Sequence, residues 1–210
     1  KIHTTWCEVI EQDGLIAFKD QQTPAIIKGV DYNYGNIINS ETIMWDGSMD
    51  FNNSFDNQNL AAIGIGIAEH IKSGVDLVQP LTLYAPKNRK VNLARPDANF
   101  TQTTFYNNGI FCVMQPKYDD NLVVMSIDLV REAYQLTEDY VTSIEVKCAD
   151  EKIQSIKKQF NNILSEKYII LDQYEQQADF YRISKIEKWT TFMILCFIVM
   201  IATFNIIGSL

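Results

Sequence analysis

Histidine is nearly absent from this 210-residue chain, with two residues, and cysteine is sparse, with four. A zinc site or a Ser-His-Asp triad would have to rest on His3 or His70, and neither stands in an H-E-x-x-H or G-x-S-x-G setting. Cys7, Cys112, Cys148 and Cys196 include no pair at metal-ligand spacing. Cys196 falls in an apolar stretch, and the odd number left outside it builds no full disulfide framework. These thiols read as small buried apolar side chains. Positive charge is also in deficit, with 18 Lys and Arg against 26 Asp and Glu, a net charge of −8. That balance argues against nucleic acid as a partner, because such binding rests on neutralising phosphates. Gly64-Ile65-Gly66 lacks the third glycine of a dinucleotide fingerprint, since Glu69 stands there, and reads as a tight strand-to-helix turn. Asp119-Asp120 reads as turn chemistry. No catalytic constellation, metal site or cofactor site follows, and the chain is predicted to be non-catalytic.

What is present is a folded polar part and one apolar run. The 47 % apolar and 21 % charged content are those of a globular protein. A mean hydropathy of −0.10 excludes a chain made mainly of membrane spans and allows one. The 22 residues Trp189 to Leu210 contain no Asp, Glu, Lys, Arg or His. As a helix they reach about 33 Å, against a hydrocarbon core of about 30 Å. Many are β-branched or aromatic, but lipid forces the backbone to satisfy its own hydrogen bonds, which selects the helix. Trp189 is placed at the interface, with Lys185 and Lys188 just outside. Lys1 opens inside a strand pattern and Leu210 stops where a far flank is due, so both ends are expected to be cut from a longer protein.

Ahead of the span, Ile2 to Phe18 reads as strand patches around a turn at Gln12-Asp13-Gly14, followed by a strand over Ala25 to Val30. Asp31 to Ser40 reads as loop, Thr42 to Trp45 as a strand ending in an Asp46-Gly47 turn, and Asn52 to Asn59 as loop. Leu60 to Ile63 leads through the glycine turn into a helix over Ile67 to Ile71, and Leu81 to Tyr84 is a strand. Lys87 to Thr104 is a long polar connection. Strands at Gly109 to Met114 and Leu122 to Met125 flank a turn at Lys117 to Asp120, and Ser126 caps a helix through Leu136. Thr142 to Cys148 alternates as a half-buried strand, Asp150 opens an amphipathic helix, and Tyr168 to Leu171 is a further strand. From Gln173 neither Pro nor Gly occurs until Gly208, which predicts one helix running into the span, either a simple tether or a lever.

The run Ile186-Glu187-Lys188-Trp189, followed by an apolar stretch ending Ala202-Thr203-Phe204-Asn205-Ile206-Ile207-Gly208-Ser209-Leu210, resembles the second membrane helix of FtsX-like ABC transporter permeases. Within that family it is most similar to the lipoprotein-releasing subunits of the LolC and LolE type. Upstream pieces fit in order: Ala25 to Val30, Ala62 to Glu69, Tyr84-Ala85-Pro86-Lys87, and Tyr118-Asp119-Asp120-Asn121 before Ser126 to Leu129.

The resemblance implies an α+β, two-lobed, MacB-like periplasmic domain followed by a long helix that continues into a transmembrane span. Residues 1–35 and 140–172 would form a membrane-proximal β-α-β lobe and 36–139 an inserted smaller lobe. Residues 173–188 would be the lever and 189–210 the span. It implies a permease subunit in the bacterial inner membrane, with residues 1–188 in the periplasm, acting by mechanotransmission in lipoprotein release. Its partners would be a second permease subunit, a cytoplasmic ATPase, membrane lipid, a periplasmic lipoprotein carrier and its lipoprotein substrate. Glu187, Lys188, Trp189 and Asn205 would couple lever to membrane, Asn205 by facing other helices. Arg89, Lys90, Asn92, Arg95, Pro96 and Phe100 fall at or beside the place of the family's carrier-gripping loop. A MacB-type efflux or FtsX-type regulatory permease, or the sensor ectodomain of a single-span receptor, are the alternatives.

Overall fold

The computed structural model describes residues 5–51, 58–87, 99–164, 168–176 and 178–208. The chain divides into two units, Lys1–Cys148 and Ala149–Leu210. Among the described residues the first is built on eight strands: β1 Thr5–Phe18, β2 Gln21–Val30, β3 Met44–Gly47, β4 Leu60–Gly64, β5 Asp76–Pro86, β6 Phe100–Phe111, β7 Leu122–Ser126 and β8 Ser143–Lys147. Its helices are α1 Tyr34–Ile37, α2 Ser40–Ile43, α3 Ile65–Ile71, α4 Pro116–Asp119 and α5 Ile127–Tyr134.

Six strands close on themselves in the hydrogen-bonded order β1–β2–β7–β4–β6–β5–β1. β2–β7 and β4–β6 are parallel, and the other four pairings are antiparallel. β3 pairs with β6, and β8 pairs with the N-terminal end of β1. Closure leaves no edge on the six strands, which removes a template for unwanted pairing.

The side-chain period of two sorts residues onto two faces. On one face Ile10, Ile16, Ile27, Ile63, Leu81, Leu83, Phe105, Val123 and Met125 join Ile67 and Ile71 of α3 and Leu129 and Val130 of α5 in a single core. On the other, Cys7, Val9, Val30, Ala62, Phe111 and Val124 are covered by Tyr34, Ile37 and Ile43 from the α1–α2 segment. β4, apolar at every position and buried throughout, lies between β6 and β7 with both faces covered. Each large aliphatic side chain fully withdrawn from water contributes about 1.5–3 kcal/mol.

The second unit carries a 3-10 turn at Asp150–Lys152, then α6 Ile153–Ile163, α7 Gln173–Gln176 and α8 Ala178–Gly208. Within α8, Ile186–Phe204 is long and apolar enough to cross a membrane, with a mean hydropathy of 1.6 and none of it buried. Its 19 residues span about 28 Å.

Several expectations are corrected. Gln12-Asp13-Gly14 is not a turn: it runs straight through β1 opposite Ile27, Ile26 and Ala25. The chain reverses instead at Lys19, which adopts φ 52°. Asp31 to Ser40 contains helical turns rather than loop alone. The polar connection ends at Phe100, because its Thr and Gln residues alternate along β6. Ser126 holds the N-cap position of α5 but its side chain makes no capping bond. Tyr168–Leu171 is not a strand.

Gly29 shows how tightly α5 lies on β2. A Cβ there would stand 2.8 Å from Val130 Cγ2 and 3.2 Å from Ile127 Cα. Gly29→Ala is expected to destabilise the full chain by about 1–3 kcal/mol in chemical denaturation. Gly35→Ala, where nothing lies within 4 Å of the added carbon, should stay within about 0.5 kcal/mol.

Candidate functional site

The densest group of perturbed side chains lies where β2, β1 and β8 run side by side. Lys28 is opposite Glu11 across β1–β2, and Cys7 is opposite Glu145 across β1–β8. Cys7, Glu11, Lys28 and Glu145 therefore share one face. The Lys28 side chain, 11 % exposed, reaches across β1, and its Nζ donates to Glu145 Oε1 at 2.5 Å, with Glu11 Oε1 at 3.7 Å on the other side. The Tyr34 ring of α1 covers the ammonium, with its centroid 5.1 Å from Nζ.

Burial alone would pull the Lys28 pKa down, but Tyr34 and Glu145 beside it reverse that and hold it above the ordinary lysine value. Burial raises the Tyr34 hydroxyl, so at neutral pH the ring is uncharged and Glu145 is the counter-charge. Burial, followed by the Glu145 and Asp31 carboxylates, pushes the Cys7 thiol up to about 12. A thiol of that kind is no nucleophile. The arrangement is an ion pair with its lid, suited to holding strands together rather than to proton transfer.

A second constellation joins two motif fragments far apart in sequence. Gly64 and Gly66 lie against the turn at Tyr118–Asp120: a Cβ on Gly64 would meet the Asp119 carbonyl oxygen at 2.2 Å, and one on Gly66 the Asp120 Oδ1 at 2.1 Å. Gly64 has φ −65°, so close approach, not a left-handed turn, calls for glycine here. The buried Asp119 carboxylate accepts from the amides of Val113 at 2.8 Å and Gln115 at 2.9 Å. The acidic pair is thus spent on the turn and the glycines on packing, with no phosphate cradle implied.

In the second unit, Asp172 and Glu175 form a capping box at α7. Asp172 Oδ1 accepts from the Glu175 amide at 2.9 Å, and Glu175 Oε2 accepts from the Asp172 amide at 3.0 Å. Lys157 of α6 pairs with both carboxylates. In α8 the hydroxyls of Thr190, Thr191 and Thr203 donate to the carbonyls of Ile186, Glu187 and Val199, so they need no water.

Of the sequence-predicted site residues, Glu187, Lys188 and Trp189 are exposed at the start of the apolar stretch, with Trp189 edge-on to Phe192 at 6.4 Å. Asn205 falls within α8. Phe100 opens β6, 39 % exposed and opposite Pro86. Arg89, Lys90, Asn92, Arg95 and Pro96 lie outside the described residues, as does His3. His70 is exposed in the last turn of α3. Among the described residues no group of three His, Cys, Asp or Glu is placed to hold a metal ion. Sequence reasoning missed Lys28 and Glu145. The available signal was a lysine set between Ile27 and Gly29-Val30 in an otherwise apolar strand.

No protein-family model matches the chain, and no curated protein matches it. Among solved structures it is similar to the extracellular domain of the noncanonic ABC-type transporter YknZ from Gram-positive bacteria. That likeness has a TM-score of 0.52 at 12 % identity and covers 81 % of this chain and 82 % of that one. It is also similar to the periplasmic region of MacB from Actinobacillus actinomycetemcomitans, with a TM-score of 0.48 at 10 % identity, over 75 % of this chain and 64 % of that one. The chain has the α+β fold of the YknZ domain, with an apolar helix at its C-terminal end.

The raised Cys7 pKa carries a stability consequence. The folded protein keeps a proton that the unfolded chain releases above its ordinary value of 9.0, so stability falls as pH rises from 9 towards 12. Cys7→Ala is expected to remove a slope of up to about 1.4 kcal/mol per pH unit, read by denaturation between pH 9 and 10. An unchanged slope would assign the alkaline loss to other groups.

Proposed function

We propose that this chain is the extracytoplasmic head and adjoining membrane helix of an ABC transporter permease of the FtsX-like and MacB-like kind. The observation that carries the reading is the fold shared with the extracellular domain of a noncanonic ABC-type transporter over 81 % of the chain, followed by an apolar helix of spanning length. Two further features support it. The strongly perturbed side chains are committed to structural contacts, and the chain leaves the last strand, β8, to enter helices that end in the apolar stretch.

On this reading the subunit does no chemistry. ATP hydrolysis belongs to an ATPase in the cytoplasm, a second permease subunit pairs with this one, and α8 carries motion to the head. Residues 1–188 stand outside the cytosol and Trp189 marks the interface. The cargo we favour is a lipoprotein released from the membrane to a soluble carrier, on the strength of the terminal sequence signature from Glu187 to Leu210. The carrier would be gripped by Arg89, Lys90, Asn92, Arg95, Pro96 and Phe100. We retain residues 1–35 with 140–172, and 36–139, as the two working parts of the head.

The full chain, isolated from its native membrane in mild detergent, should bring down an ATPase subunit that hydrolyses ATP. A folded head recovered repeatedly without any ATPase overturns the proposal. A chain ending at Lys185 should stay in solution without detergent while the full chain pellets with membranes. Asn205→Leu should leave the near-UV circular dichroism of the head unchanged and lower lipoprotein release, through loss of a helix–helix contact in lipid.

A further inference from the structure

Lys28 does more than satisfy its own charge. It stands on β2, its counter-ion Glu145 stands on β8, and β1 lies between them. β8 has five residues, one ladder along Thr5–Val9 and mostly exposed side chains. Chain continuity makes β8 the last strand before residues 149–210. Force carried along the backbone from residues 149–210 enters the sheet at this strand.

A five-residue strand drawn from its C-terminal end can open one ladder bond after another, each weak on its own. Side-chain ties change that. Glu145, at the middle of β8, is held by the buried ammonium, and Lys147, two residues on and on the same face, donates from Nζ to the Asn36 carbonyl at 3.0 Å. Glu145 is thus fastened to β2 and Lys147 to α1, whereas Ile144 and Val146 on the opposite face are exposed. Glu8, next to Cys7 on β1, is engaged with Arg131 of α5 at 3.0 Å and does not compete for Lys28.

We infer that the Lys28–Glu145 pair is a cross-strand clasp through which force arriving along the C-terminal helix is passed from β8 to the closed sheet. This rests on the permease reading for the source of the force. Lys28 is a positioning residue: it touches no cargo, and it keeps β8 from peeling.

The test uses the full chain in lipid nanodiscs and reads hydrogen exchange strand by strand. It is joined to single-molecule pulling between the Lys19–Asp20 turn and the C-terminal end of α8. In Lys28→Met, amide protection across Ser143–Lys147 should fall by about tenfold or more while β4 and β7 keep theirs. β8 should also detach as a separate step at lower force. Glu145→Gln, whose side-chain oxygen can still accept from Lys28, should show the same pattern more weakly, and it decides alone if Lys28→Met does not fold. Unchanged β8 protection with a single unfolding step overturns the clasp. So does a uniform loss of protection over the whole sheet, which would make the pair a source of global stability only. The ATPase co-purification fails or succeeds separately, because it measures no property of β8.

Discussion

An ammonium withdrawn from water must find a carboxylate, and much of the first unit is arranged around that requirement. The desolvation penalty of a buried ion amounts to several kcal/mol. For Lys28 it is offset by Glu145 at 2.5 Å, by Glu11 at 3.7 Å and by the face of Tyr34. These groups come from β8, β1 and α1, so the lysine ties together elements that a single ladder would hold loosely. Register follows from the same constraint. Slipping β8 by one residue along β1 would turn Glu145 to the opposite face and leave Lys28 beside Glu11 alone. The α1 turn is fixed as well, because Tyr34 can lie over Lys28 only if Asp31 to Asn33 reverse the chain just after β2. Asp31 Oδ1 does this by accepting from the Asn33 amide at 2.8 Å.

The closed run of strands gives this clasp something to pull against. β1 is long enough to serve three partners, with β2 along one edge and β8 and β5 in succession along the other. Its N-terminal half buries Cys7 and Val9 on the Lys28 face, and its C-terminal half sends Ile16 and Phe18 to the core beneath α3 and α5. The far side of the circuit is fixed by close contact rather than charge. Gly64 and Gly66 allow the start of α3 to meet the Asp119–Asp120 backbone, and the Asp119 carboxylate holds the preceding Val113–Gln115 loop by two amides. The resemblance had set these fragments side by side only in sequence order; in the fold they touch.

Which parts could be read from the sequence follows from how local each signal is. Helix α8, helix α5 and strands β2, β4 and β8 are written in runs of apolar periodicity and are found where those runs lie. Gln12-Asp13-Gly14 misled because turn residues were judged without their partner strand: Gly14 sits in mid-strand because a Cβ would meet the Tyr134 hydroxyl at 2.7 Å and Leu83 Cδ1 at 2.8 Å. Tyr168–Leu171 has strand composition, but no run of four residues carries information about a ladder partner. The clasp was illegible for a related reason. Lys28 and Glu145 are 117 residues apart, and only the pairing of both strands with β1 brings them together.

The apolar helix closes the physical account. Its exposed Phe, Ile, Leu and Val side chains over Ile186–Phe204 would make a costly surface in water, whereas in lipid they cost nothing and the backbone is already satisfied. Thr190, Thr191 and Thr203 bond within the helix, so the only polar side chains in that stretch outside its first turn bring no unmet demand into the hydrocarbon. At its other end the chain returns through α7, whose start is set by the Asp172–Glu175 capping box under Lys157. Those ties hold α6 to the base of α7. The described residues of the second unit thus combine a helix of spanning length with a charge-pinned start to α7.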